Sequence, residues 1–290
     1  GMANTASRER GGPPIDGLCL AGGVALNCVA NDKLLRETHF NKLWVQPAAN
    51  DAGTALGAAA LLHTLLSQPG RPRMDHAYLG PDYDGDAMDA ALGAAGLSHV
   101  IVEDPAVEAA RRLERGEIIA WFQGRLEFGP RALGHRSILA DPTRFDTRQR
   151  INNRVKMRES FRPFAPSVLD STVERFFDVH PGTLCADYML TASPMKDNRM
   201  SQVIPAVVQE NGSTHLATSR LHRVSETAAP LYHRLISEFR SITGVGAVLN
   251  TSFNISEPIV NTPAEAIATF GRSGMDCLML GDRLVEGRPR

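Results

Sequence analysis

Cysteine is scarce in this 290-residue chain: Cys19, Cys28, Cys185 and Cys277 are dispersed, with no CxxC pair and no zinc-finger spacing. That excludes a disulfide scaffold and a thiolate metal site. Cys19, Cys185 and Cys277 stand among apolar or small residues and are expected as buried thiols of a reducing cytosol. The nine histidines contain no HxxxH or HExxH, so no helical metal pair can be read from them, and no catalytic nucleophile is evident. No apolar run approaches 18 residues and no signal-peptide pattern opens the chain, which leads us to expect a cytoplasmic protein. Net charge is only −1, which argues against wholesale binding to nucleic acid or a membrane surface but permits a local patch.

Such a patch exists. Between Arg125 and Arg162 stand ten Arg or Lys against Glu127, Asp141, Asp146 and Glu159. Gly124, Gly129, Pro130, Gly134, Pro142, Pro163 and Pro166 punctuate the stretch, so its cations are expected partly on shaped turns. Arginine on shaped turns suits bidentate grip of phosphate or carboxylate oxygens. An ion-pair network and a nucleic-acid stripe remain open as other uses of the same charges. Phe122, Phe128, Phe161 and Phe164 interleave with the cations and are read as loop anchors or cation–π partners. His135, beside Arg136, is read as a loop packing residue.

The pattern elsewhere is α/β. Strands are expected at 17–21 and 42–45, helices at 24–37 and 51–66, with the two strands parallel. Two strands and two helices make a poor core by themselves. A linker is expected at 69–80, which carries Pro and Gly with little periodicity. Beyond it, helices are expected at 84–96, 105–115, 146–155, 171–177, 228–242 and 263–271. Strands are expected at 99–102, 117–123, 164–169, 246–249 and 277–280, with short antiparallel strands between 188 and 224, QVIPAVV among them. Residues 1–16 are expected to be disordered or tag-derived.

Three smaller features invite chemistry. Gly22-Gly23, at a strand end opening a helix, allows close approach of a phosphate or allows tight strand–helix packing, and Asn27 lies one turn on. Asp51 opens a helix, as a cap or as a metal or ribose ligand. Asn250-Thr251-Ser252-Phe253-Asn254 follows a buried strand. Period two puts Asn250, Ser252 and Asn254 on one side, as donors for oxyanions or as a self-bonded turn.

These residues resemble the O-carbamoyltransferases of antibiotic and nodulation-factor biosynthesis. The likeness rests on GGVALN (22–27), NDAGTALGAA (50–59), WFQGRLEFGPRALGHRSILADP (121–142), VKMRESFRPFAPSV (155–168) and LNTSFN with EPIV (249–260). It implies the end of an actin/sugar-kinase-like domain over 17–68, followed over 81–290 by a YrdC-like α/β domain with a mixed sheet. It also implies cleavage of carbamoyl phosphate, activation of the carbamate by ATP as carbamoyl adenylate, and transfer to a small-molecule hydroxyl. Arg131, Lys156, Arg162 and Ser252 match catalytic positions. Arg136, Arg158, Arg220, Asn250 and Asn254 join them in binding substrate, and Lys156/Arg158 with Ser252/Asn254 look like the KxR and SxN signatures of threonylcarbamoyl-adenylate synthases. Gly22, Gly23 and Asn27 match nucleotide contacts, and Asp51 a ligand of a divalent metal (iron or magnesium) that only the complete enzyme would hold. The family's HxxxH is absent, FNISEPIV is one residue shorter than the usual pattern, and His135 stands where Asn is usual. The chain is therefore expected to be a C-terminal portion, acting as a homodimer or with an N-terminal partner subunit. The alternative is a non-catalytic phosphate-, nucleotide- or RNA-binding partner subunit.

Overall fold

A computed structural model of the chain describes residues 15–66, 70, 74–209 and 216–286. Residues 1–14 of the expected frayed start, and residues 69 and 71–73 of the expected linker, lie outside them. The fold is mixed α/β, as the sequence pattern implies. β1 (Gly17–Leu20) and β2 (Lys42–Val45) pair in parallel as a separate two-stranded sheet. The main sheet has eight strands. In chain order these are β3 (Val100–Ile101), β4 (Ile119–Phe122), β5 (Arg136–Ala140), β6 (Ala165–Leu169), β9 (His222–Val224), β10 (Ala247–Ser252), β11 (Cys277–Leu280) and β12 (Arg283–Val285). Their order across the sheet is β3-β12-β11-β4-β5-β10-β6-β9, with β4/β11 and β6/β9 parallel and the other pairs antiparallel. β7 (Ala192–Pro194) and β8 (Thr218–Arg220) form a small antiparallel ribbon.

Strands β4, β5, β6 and β11 are buried along their whole length. Both faces must therefore be covered. The amphipathic helix Pro230–Thr243 packs on β10 and β6 and turns Tyr232, Leu235, Ile236 and Phe239 inward. Helix Pro263–Arg272 packs on β4 and β11; Thr262 and Glu265 close its first turn as a reciprocal capping box, and Pro263 occupies the first position. Each fully buried Leu or Phe of this set contributes about 1.5–3 kcal/mol.

The differences from expectation have local causes. The helix expected at 24–37 begins at Cys28, because Asn27 leaves helical geometry and its Oδ1 accepts from Ala30 N at 3.1 Å. A short 3-10 turn, Gly23–Leu26, precedes it. QVIPAVV is not a strand: Asn198–Val203 is a helix capped by Asp197, and Pro205 opens a 3-10 turn. Cys19 is exposed, not buried, because β1 turns that side of its pleat outward; Cys185 and Cys277 are buried as expected.

The first segment docks on the rest through backbone. Leu43 bonds Gly182 and Leu184 (2.9 and 3.1 Å), and Asn31 Nδ2 donates to the carbonyls of Ala25 and Leu190, both at 2.8 Å. The alanine-rich helix Thr54–Leu65 is different: none of its residues is buried, and Leu61 and Leu65 are 60% and 70% exposed.

Candidate anion site

The loop after β4, the loop before β6, the end of β8 and the end of β10 meet around a cavity of about 250 Å³. Its lining includes Arg131, Arg158, Arg162, Arg220, Thr251 and Ser252. Four guanidiniums drawn from three separated segments therefore face one small space. Burial lowers the pKa of Arg220 to about 10, with the charges of Arg131 and Arg158 adding to the effect, and burial lowers that of Arg131 as well. The Nε atoms of both are buried without a partner. Among the described residues neither forms an ion pair with a carboxylate, and Arg131 Nη2 reaches the Leu26 carbonyl at 3.4 Å. Like charges left buried and unpaired are costly, and an anion between them removes that cost. Arg162 sits at the mouth, about half exposed and paired with Glu159 at 3.1 Å.

Backbone shape sets this geometry. The run after helix Thr147–Ile151 widens into a π-turn at Asn152–Lys156, and Met157 ends it in the left-handed conformation (φ 47°). The second non-glycine residue with positive φ among those described, Met189 (φ 57°), lines the cavity. Such conformations cluster at functional sites, where the surroundings hold them. Asn152 ties the loop down. Its Nδ2 donates to the carbonyls of Ser160 and Arg162, and its Oδ1 accepts from Arg158 Nε at 2.8 Å. Phe164 lies under the Arg158 guanidinium at 5.0 Å.

Lys156 stands behind Ser252. Its Nζ donates to Ser252 O (2.6 Å), Asn254 O (2.8 Å) and Asn254 Oδ1 (2.7 Å), with Ser252 Oγ at 3.3 Å. Burial, with Arg158 nearby, pushes its pKa down to about 7. Asn254 in turn donates to the carbonyl of Glu257 and accepts from Ser252 Oγ at 2.7 Å. Lys156, Ser252 and Asn254 are thus brought together as the sequence suggested, next to the arginines.

Three expected site residues are placed differently. Arg136 lies in the buried strand β5, not on a turn, and is absent from the cavity lining. Its Nη1 donates to the carbonyls of Gln123 and Gly124 (2.6 and 2.9 Å), and its guanidinium covers the Phe122 ring at 3.6 Å. It braces the turn at 123–124. Asn250 spends its Nδ2 on Ala132 O (3.2 Å) and Ser167 Oγ (2.9 Å), so it has no amide hydrogen left for an oxyanion. Asn27 is a helix cap. His135 stacks on Tyr78 at 3.9 Å and bonds Arg125 O, a packing role as expected.

Gly22 and Asp51 line a second, largely apolar cleft of about 640 Å³, with Gln46, Leu56, Leu61 and Met74. A Cβ at Gly22 or Gly23 would meet nothing within 4 Å, so these glycines do not serve tight packing; Gly22 has φ 98°. Asn50, not Asp51, occupies the cap position of the turn Asp51–Gly53. Among the described residues no three His, Cys, Asp or Glu come together as a metal site, so Asp51 by itself does not fit a divalent ion that needs several ligands.

Sequence reasoning did not single out Ala132, Ser167, Met189 or His222. Their strands and loops meet only in three dimensions, and nothing in their local spacing marks them.

Fold and site together define a mixed-sheet α/β protein with a cavity lined by four arginines, a geometry that suits a small oxyanion. The sequence comparisons narrow this class. Residues 110–287 match the family description Carbamoyltransferase C-terminus, and residues 3–60 match Carbamoyltransferase N-terminus. The chain belongs to the carbamoyltransferase family. It is 44% identical over 277 residues to nodulation protein NolNO of Sinorhizobium fredii, covering 93% of this chain and 40% of that protein. It is 42% identical to nodulation protein NolO of Bradyrhizobium diazoefficiens, covering 94% and 50%. It is 33% identical to the 3'-hydroxymethylcephem-O-carbamoyltransferase of Amycolatopsis lactamdurans, covering 91% and 48%. The chain thus spans about half the length of these relatives, or less. Among solved structures, full-length HypF in a phosphate- and nucleotide-bound form aligns over 66% of this chain and 23% of that one, at 20% identity and TM-score 0.45. That likeness is too slight to bear on fold or ligand.

Proposed function

We propose that this chain holds the carbamoyl-phosphate site of an ATP-dependent O-carbamoyltransferase whose acceptor is a small-molecule hydroxyl. The observation that supports this most is the cavity itself: Arg131, Arg158, Arg162 and Arg220 converge beside Ser252 on a space suited to one small dianion. On this reading the guanidiniums hold the phosphate oxygens. Ser252, backed by the Lys156 cation, would meet the charge that builds on the oxygen bridging phosphorus and the carbamoyl carbon. Water replaces the phosphate, giving carbamate and inorganic phosphate. ATP, when bound, supplies the adenylyl group that activates the carbamate with loss of pyrophosphate, and the acceptor hydroxyl then takes the carbamoyl group with loss of AMP. The open turn at Gly22-Gly23 leaves room for a phosphate chain to approach backbone. The basic surface is a small concavity, not a stripe, which favours a small anion over RNA.

The test is phosphate release from carbamoyl phosphate by the purified chain. Release is expected from the wild type, with a loss of at least about 100-fold in Arg131→Ala, which removes a charged contact to the phosphate, and in Lys156→Ala, which removes the buried cation that holds Ser252 and Asn254. Binding of phosphate without any release by the wild type would favour the non-catalytic partner reading.

A further inference from the structure

Glu127 is a buried carboxylate outside the lining of the arginine cavity, and it bonds to backbone. Its Oε1 accepts from the amides of Leu133 (2.7 Å), His135 (2.8 Å) and Arg136 (3.2 Å). Amides converging on one oxygen form an anion-binding concavity, and here the loop fills it with its own side chain. The other polar groups of this limb are also paired. Leu133 O accepts from Tyr78 Oη, Gly134 O from Trp121 Nε1 and His135 O from Gln123 N, while Gly134 N donates to Ser137 Oγ. Gly134, at φ 100°, lies so close to Tyr232 that a Cβ would overlap the ring. At the near end of the loop, Phe128 N donates to Ala77 O at 2.6 Å.

What this scaffold holds out is Pro130-Arg131-Ala132, three consecutive residues that line the cavity. The Arg131 side chain is itself loosely tied: Nη2 reaches Leu26 O at 3.4 Å and Nε is buried without a partner. Its place is set by the backbone beneath it, and that backbone is drawn together by Glu127. We propose that Glu127 is a positioning residue of the anion site, whose reach across the loop fixes where the Arg131 guanidinium stands before a ligand arrives. The inference deepens the function proposed above and rests on its anion site. Reach matters more than charge here, because Oε1 takes all three bonds while Oε2 is buried with no partner. The charge serves a different neighbour: burial lowers the pKa of Arg136 to about 10, and Glu127 is the foremost charge opposing that.

The experiment is calorimetric titration with inorganic phosphate of wild type, Glu127→Asp, Glu127→Gln, Arg131→Ala and the double variant Glu127→Asp/Arg131→Ala. Aspartate keeps the charge but is one methylene too short to hold all three amides, and should weaken phosphate by about tenfold. Glutamine keeps the oxygen at full reach and should recover affinity to within about threefold of wild type, though with a lower unfolding midpoint because Arg136 loses its counter-charge. With Arg131 already removed, Glu127→Asp should cost no more than about twofold further, since the group it positions is gone. A residue with a purely structural role would instead weaken phosphate equally in both backgrounds, or lower the unfolding midpoint alone. Wild-type affinity in Glu127→Asp, an equal loss with and without Arg131, or a tenfold loss in Glu127→Gln overturns the inference and leaves the anion site standing. The glutamine variant alone keeps the inference open to refutation should the shorter side chain not fold. Absence of phosphate binding by wild type overturns the anion site itself and the inference with it.

Discussion

The arginine cavity takes its lining from five separated stretches of chain, whereas the cleft beside Gly22 and Asp51 is lined almost wholly by residues 21–22 and 46–61. The first is lined by loops and by the end of β10, which runs between two strands buried end to end; the second is lined by a helix that buries none of its side chains. Bringing like charges together out of water is unfavourable, and only a surrounding fold that is stable for other reasons can hold them there. The arginine cavity has that support and is pre-organised. The cleft is a local product of one strand–turn–helix unit, apolar and open, with few of the hydrogen bonds that fix a polar ligand.

The largest expected contrast is in stability. Phe239→Ala, at a fully buried position under the main sheet, should cost about 3–5 kcal/mol. Leu61→Ala, on the exposed helix, should stay within about 0.5 kcal/mol. Urea titration followed by circular dichroism measures both. Equal losses would mean that the helix is packed after all, and the two regions would no longer differ in kind.

The next contrast is in ligand binding. Arg131→Ala and Arg220→Ala should each weaken phosphate by about 10- to 100-fold, the range for one charged hydrogen bond in a desolvated site. Asp51→Ala should leave phosphate affinity within about twofold, since Asp51 lies in the other cleft. Arg136→Met should leave it little changed and lower the unfolding midpoint instead, because that guanidinium braces the turn at 123–124 and covers Phe122. Calorimetry with inorganic phosphate separates the three outcomes. Loss of affinity in Arg136→Met would return that residue to the site.

How far the sequence could see follows the same division. Elements with strong periodicity were legible nearly to the residue: Lys42–Val45, Pro105–Glu114, Pro230–Thr243, Cys277–Leu280. So was the charge segregation from which the arginine cavity draws three of its four guanidiniums. Arg136 was not, since a lone cation in RSILA does not announce a strand; its charge is offset there by three carbonyls, the Phe122 face and the nearby Glu127 carboxylate. QVIPAVV reads as β by composition, yet a cap by Asp197 and the restriction imposed by Pro205 settle it as helix and turn. Gly22-Gly23 was open to two meanings, and only the empty space around both excludes tight packing. The orientation of Asn250 was invisible, because Ala132 and Ser167 are 118 and 83 positions away and meet it only in the folded chain.

The smallest effect, and the most specific to the cavity, is its response to pH. Burial brings Lys156 down to about 7, with Arg158 pressing the same way and Glu257 opposing. Below pH 7 the ammonium is charged and an anion finds it ready. Above pH 7 the neutral amine predominates, so binding an anion must also take up a proton, and affinity falls by up to about tenfold per pH unit. Sulfate is the proper probe, because its charge is constant over this range whereas phosphate itself titrates. Sulfate affinity should be level below about pH 6.5 and decline between pH 7 and 9; in Lys156→Met it should be weaker throughout and flat over the same interval. The depressed value also means that this group's burial penalty is fully present below pH 7 and relieved as pH rises toward 10, so its own contribution to stability grows in that direction while anion binding weakens. A wild-type profile flat from pH 6 to 9 would show that the Lys156 ammonium, bonded as it is to Ser252 and Asn254, holds those two in place and does not feel the anion, leaving the four arginines as the whole of the electrostatic difference between the two regions.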